Sequence, residues 1–133
     1  MTVGSILLAC VFITGGLLHL LRPDIYKPVM PSWLPAHDLL ILISGVAEIL
    51  GGVGLLIPRS RRVASLGLTM LLIAVFPANV EMLRVYPLRG APWWAISLLW
   101  IRLPLQLVLI WWVWKTGQRN GAIVVRRGTQ RAP

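Results

Sequence analysis

The sequence predicts an all-α membrane protein: a four-transmembrane-helix bundle with a Pro-rich outer connector between helices 1 and 2. Three observations carry this. Four long apolar runs, each close to the ~20 residues a helix needs to cross a bilayer, fill most of the chain. Hydrophobic residues make up 57% of the 133 and charged residues 13%, and the mean hydropathy is +0.78. A soluble domain of this size could not hide that much apolar surface. None of the runs alternates as a barrel strand would, so helices are the way left to satisfy backbone polar groups in lipid.

The spans read as 3–21, 38–57, 63–83 and 93–114, all within one membrane domain, 1–116. The first run has no positive segment before it and no cleavage site after it, so it reads as a retained helix and not a signal peptide. Residues 117–133 form a basic tail, expected to be flexible or lipid-associated.

Charge is lopsided: 13 Lys and Arg against 4 Asp and Glu. Most of the cations sit in loops and the tail, so anionic lipid headgroups are the expected counter-charge, and nucleic acid is not an expected partner. Arg59, Arg61 and Arg62 fill the turn between spans two and three. Lys115, Arg119, Arg126, Arg127 and Arg131 fill the tail. Arg22, Lys27, Arg84 and Arg89 lie on the opposite side. Cations therefore concentrate on the side of the termini, which puts both termini in the cytoplasm of a bacterial-type inner membrane. Trp93 and Trp94 mark one interface of the last span, and Trp111, Trp112 and Trp114 the other.

The connector from Arg22 to His37 carries Pro23, Pro28, Pro31 and Pro35, which forbid a long regular helix. Ile25, Tyr26, Val29, Met30, Trp33 and Leu34 make it apolar. It is expected to lie in the headgroup layer or on the bundle mouth, where Tyr26 and Trp33 are candidates for a lid. Cys10 is the only cysteine, so an internal disulfide, a CxxC motif and a cysteine-based metal site are excluded.

Each span holds an ionisable group at or near membrane depth: His19, Glu48, Glu81 and Arg102. Inserting one centrally placed Arg or Asp costs roughly 2.5–3.5 kcal/mol, so such residues face the protein interior and mark a site. Helical periodicity puts Phe12, Gly15, Gly16 and His19 on one face of span one, with Cys10 on the other side. On span two, Ser44, Gly45, Glu48, Gly51 and Gly52 oppose Val46, Leu50, Val53 and Ile57. On span three, Gly67, Met70, Ala74, Ala78 and Glu81 share a face, while Asn79 points elsewhere on an ideal helix and Pro77 introduces a kink. On span four, Ala95, Arg102, Gln106 and Leu109 oppose Trp93, Trp100 and Trp111. Counting from the span ends gives two layers roughly 10 Å apart. The expected deeper layer is a Glu48–Arg102 pair supported by Gln106; the expected upper layer is His19 with Glu81. The bland reading of the pair is that it only fixes helix register, and His19 reads as a structural residue before it reads as a metal or haem ligand.

The runs GGLLHLLRPDIYKPVMPSWLP, SGVAEILGGVGLLIPRSRR, LLIAVFPANVEM and IRLPLQLVLIWWV occur in that order over about residues 12–114. Together they resemble the DoxX family of small integral membrane proteins, in its short bacterial branch. The resemblance implies a compact four-helix membrane protein that works beside redox partners, with quinone-linked subunits among its relatives. The chain has no flavin motif, Rossmann fingerprint or soluble catalytic domain, so it is not expected to be an enzyme on its own.

Three functions compete. The first is an accessory subunit of a membrane redox system, with a polar intramembrane site for quinone or another lipophilic ligand. In it His19, Arg102 and Gln106 donate hydrogen bonds, and Glu48 or Glu81 accepts or relays protons. Redox proteins would be its partners. The second is a non-enzymatic assembly or scaffold protein, associating through its Trp-bearing and Gly-rich faces as a homodimer or with other chains. The third, a proton-coupled transporter, ranks last because the inner half lacks matching polar groups. No metal site is expected.

Overall fold

A capping box opens the first helix: the Thr2 side chain accepts from the Ser5 backbone N–H, and the Ser5 hydroxyl accepts from the Thr2 N–H. The computed structural model describes residues 2–129, which form four α-helices and no strand. These are α1 (Val3–Leu21), α2 (His37–Leu56), α3 (Arg61–Leu88) and α4 (Trp93–Thr129). Each is long and apolar enough to cross a membrane. The chain is thus a four-transmembrane-helix bundle, with the α1–α2 connector and the α3–α4 turn on one side (the connector side). The start of α1, the Arg-rich turn and the far part of α4 lie on the other (the terminal side).

Two helices outrun the expected spans. α3 continues past residue 83 to Leu88 and stops where Gly90 adopts φ +71. α4 continues to Thr129, so the basic segment expected as a separate tail begins as an extension of the helix. Residues 130–133, Arg131 among them, lie outside the described residues.

Lipid tails are as apolar as Leu, so burial alone does not hold such helices together; close packing and interhelical hydrogen bonds do. α1 and α2 meet backbone to backbone. A Cβ on Gly16 would stand 2.5 Å from the Gly45 carbonyl oxygen, and one on Gly45 would stand 2.9 Å from the Gly16 oxygen. Between α2 and α3 the Ser60 hydroxyl donates to the Gly54 carbonyl at 3.1 Å, and buried Arg61 donates Nε to the Leu55 carbonyl at 2.8 Å. Arg61 therefore belongs to the fold and not only to the charged turn. Between α3 and α4 the Ser65 hydroxyl donates to the Val113 carbonyl at 2.6 Å. Leu8, Phe12, Leu55, Leu68 and Val113 form the core, in the terminal half.

The face expected for α3 is corrected. Gly67, Met70 and Ala74 are exposed, and Arg61, Ser65, Leu68, Thr69 and Asn79 are buried. Small residues are the usual packing mark in membranes, but here the buried face is mostly a polar stripe. Asn79 Nδ2 donates to Gln106 Oε1 at 2.6 Å, and Gln106 Nε2 donates to the Leu72 carbonyl at 2.7 Å. Pro77 has no N–H to give the preceding turn, and Gln106 braces α3 beside that interruption. Gln106 thus serves the α3–α4 contact and does not support a Glu48–Arg102 pair.

The connector folds into two 3-10 turns, Pro23–Ile25 and Lys27–Val29, the first of which leans on α1 and α2. Lys27 Nζ lies 2.9 Å from Asp38 and 3.6 Å from Asp24. The Asp38 hydrogen bond, and then its charge, hold the Lys27 ammonium above its usual value. Arg89 donates to the Pro28 carbonyl at 2.9 Å, and His37 Nε2 lies 3.0 Å from the Pro31 carbonyl. The connector is therefore strapped across the mouth from α1 to the far end of α3.

Candidate functional site

His19 and Glu48 come together. His19 Nε2 is 3.5 Å from Glu48 Oε1, and each side chain is 17% exposed. The two expected layers collapse into one for a geometric reason. Every helical Cβ tilts toward its own N-terminus. α1 and α2 are antiparallel, so His19 tilts toward the terminal side and Glu48 toward the connector side. The bare backbones of Gly16 and Gly45 bring the helices close enough for the two to meet. Glu48 then lies over Gly15, where a Cβ would stand 2.8 Å from Oε2.

Tyr26 covers the pair from the connector. Its ring stacks on the His19 imidazole with centroids 3.9 Å apart and planes 18° from parallel. Burial raises the Tyr26 phenol above its usual 10.0; the charge of Glu48 raises it further, and that of Arg102 lowers it. The phenol therefore stands within the electrostatic reach of both. Trp33, the other lid candidate, is 62% exposed and is not brought to the cluster by any contact described.

The remaining expected pairs are corrected. Among the described residues Arg102 makes no ion pair or hydrogen bond, so the Glu48–Arg102 pair does not form. Glu81 pairs with Arg84 at 3.2 Å, not with His19, and lines a cleft of about 40 Å³ between the connector and α3. Arg102 sits on α4 within about 60° of Leu99, Gln106 and Val113, all buried, yet it is exposed. The cause is the seam between α1 and α4, the least contacted of the sequential and closing helix pairs. At the terminal side the seam is shut: Gly4 lies against the Trp112 indole, 3.3 Å from a built Cβ to Nε1, and Thr116 is buried. On the same flank toward the connector side, Leu98 and Leu105 are 58% and 52% exposed. On the α4 flank in the connector half, Leu98, Arg102 and Leu105 are thus all exposed.

The donor and acceptor set is specific. Arg102 offers unused N–H groups. His19 Nδ1 is buried and makes no hydrogen bond; when Nε2 donates to Glu48, Nδ1 is left an acceptor. Among the described residues no three of His, Cys, Asp and Glu gather to hold a metal ion. Sequence periodicity found the members of this cluster. It missed their partners, for which the antiparallel Cβ tilt and the Gly16–Gly45 register were the available signals.

The Tyr26 environment gives a direct test. In a Tyr86→Phe background Tyr26 is the only phenol, since the chain has two tyrosines. Its spectrophotometric midpoint lies above 10.0, moves down in Glu48→Gln and moves up in Arg102→Gln. Because the folded value exceeds the unfolded one, its contribution to stability is constant below about pH 10 and is lost as pH rises beyond it. A midpoint unmoved by either substitution would place both charges away from the phenol.

The fold and site define a four-helix membrane protein with a polar cluster where α1 meets α2. The chain belongs to a family described as a domain of unknown function (DUF8561), which it matches over residues 8–117. That finding overturns the DoxX resemblance. Gly pairs, an Arg-rich turn and Pro-interrupted spans are what any small helical membrane bundle needs, so runs such as GGLLHLL and IPRSRR carry little family information. No curated protein and no solved structure matches the chain.

Proposed function

We propose that this protein is a membrane-embedded binding subunit of a redox system, taking a quinone-class ligand through the α1–α4 seam. The observation that carries the reading is Arg102: a guanidinium about 13 Å along α4 from its first residue, exposed although Leu99 and Gln106 beside it are buried, and without a hydrogen bond or ion pair among the described residues. A charge at that depth is costly unless something covers it. A quinone carbonyl accepts from Arg102, and the isoprenoid tail lies along exposed Leu98 and Leu105. Tyr26, stacked on His19, closes the site toward the connector side. Neither Glu81 nor Gln106 takes part in this reading. The excess of cations on the terminal side supports a bacterial inner membrane with both termini cytoplasmic.

Short-chain quinone titrated into purified protein in detergent raises the thermal midpoint and shifts the ligand's redox potential. Arg102→Leu weakens binding about tenfold, the worth of one charge-assisted hydrogen bond. An unchanged midpoint and potential over a wide quinone range, or equal binding by Arg102→Leu, would refute the reading.

A second reading has its own observation. Trp93, Trp100 and Trp111 form an exposed row on α4 opposite Arg102, as expected of a scaffold that docks a second helix bundle. Loss of a co-purifying partner or of a homodimer on replacing Trp100 and Trp111, with Arg102→Leu silent, would favour it.

A further inference from the structure

We infer that the cleft between the terminal-side ends of α3 and α4 holds the phosphate of an anionic phospholipid, with an acyl chain running down the groove below it. The cleft measures about 50 Å³ and is lined by Arg62, Ser65 and Leu66 of α3 and by Trp114, Gly117 and Gln118 of α4. Gly117 forms its floor: a Cβ there would press on Ser65 and stand 3.9 Å from the Arg62 Cα.

The polar groups around the cleft divide into occupied and free. Ser65 is committed to the Val113 carbonyl. Arg61 is buried against the Leu55 carbonyl, and Lys115 lies 4.6 Å above the Trp111 ring centroid. Arg62 is exposed and makes no hydrogen bond or ion pair among the described residues. No carboxylate side chain is placed to serve it. The four acids are Asp24, Asp38, Glu48 and Glu81; Asp24, Asp38 and Glu81 lie toward the connector side, and Glu48 is turned to His19. Among the described residues none supplies an anion to Arg62, which leaves the place to one from outside. Arg59, exposed in the adjoining turn, adds to the field.

The source of that anion follows from what lies below. Leu66, Met70 and Ile73 are exposed on α3 one turn apart or nearly so, on the Arg62 side of the helix. Trp114 and Leu107 are exposed on the matching side of α4. A free phosphate uses only the mouth of such a groove. A phospholipid uses both parts, its phosphate at Arg62 and Gln118 beside an interfacial Trp and its chain on the apolar rows.

Thermal unfolding of the full chain in mild detergent tests this with three additives. Phosphatidylglycerol raises the midpoint; phosphatidylcholine of the same chain length raises it less, and inorganic phosphate does not raise it. Arg62→Gln weakens the phosphatidylglycerol response about tenfold and Gln118→Ala weakens it less, while Arg59→Gln leaves it near wild type. Equal stabilisation by phosphatidylcholine overturns the charge assignment, and equal stabilisation by inorganic phosphate overturns the lipid. Equal loss in Arg59→Gln and Arg62→Gln reduces the site to a diffuse basic surface and also overturns it.

Discussion

Gly16→Ala unfolds or separates the α1–α2 pair, with a loss of about 3 kcal/mol at the upper end of the usual overpacking range. The added methyl would sit 2.5 Å from the Gly45 carbonyl oxygen, 2.7 Å from Ile49 Cγ1 and 3.1 Å from Glu48 Cβ. Ile49 Cγ1 can turn aside, but the Gly45 oxygen is backbone and Glu48 Cβ moves only with its backbone. The helices must move apart, and with them goes the close approach that lets His19 reach Glu48. Denaturation in mixed micelles measures the loss, and a weaker Tyr26–His19 stack reports the local damage. Gly67→Ala is the matched control. Nothing lies within 4 Å of a Cβ there, so the better helix former is neutral or stabilises by up to about 1 kcal/mol. Equal effects at the two positions would mean that helix propensity, not close packing, governs both.

Glu48→Leu is the second large effect, at about 2 kcal/mol, set below the 3–5 typical of a fully buried broken pair because both partners keep some exposure. Losing the carboxylate leaves both ring nitrogens of His19 unmet, since Nδ1 has no partner in the intact protein. Removing His19 as well takes away the stranded group, so the double variant Glu48→Leu, His19→Leu is less damaged than the sum of the single ones. The coupling falls in the range of about 0.5–3 kcal/mol seen for contacting residues. Glu48 and Arg102, which make no contact, couple more weakly. A larger coupling of Glu48 to Arg102 than to His19 would invalidate the pairing described here.

Both expectations show how far the sequence reached. The four helices were legible because lipid leaves few ways to satisfy a backbone, and length and hydropathy are enough to count spans. The inward faces of spans one and two were legible for a related reason. Gly15, Gly16, Gly45 and Gly52 recur at helical spacing beside His19 and Glu48, and exposed Val46, Leu50 and Val53 take the lipid side. The face of α3 was not. Gly67 and Ala74 look like packing residues, but the contact is made by Ser65, Thr69 and Asn79, whose hydroxyl and amide groups also read as tolerable surface.

Site membership was partly legible and site geometry was not. Depth counted from span ends put His19 and Glu48 in different layers, because counting Cα positions ignores that side chains of antiparallel neighbours lean toward each other. Opposite charges at one depth pair Glu48 with Arg102 on paper, but α4 hardly meets α1 or α2.

The sequence by itself determined the class of fold and the number of spans, and it singled out His19, Glu48 and Arg102 as costly groups to place in lipid. Only the tertiary structure decided which of them touch, that Tyr26 stacks on His19, and that Arg102 is left exposed. The first set depends on the free energy of each residue in lipid, which its own composition carries. The second depends on which helices adjoin and in what register, and that is fixed by backbone contacts such as Gly16 with Gly45, which belong to two segments at once.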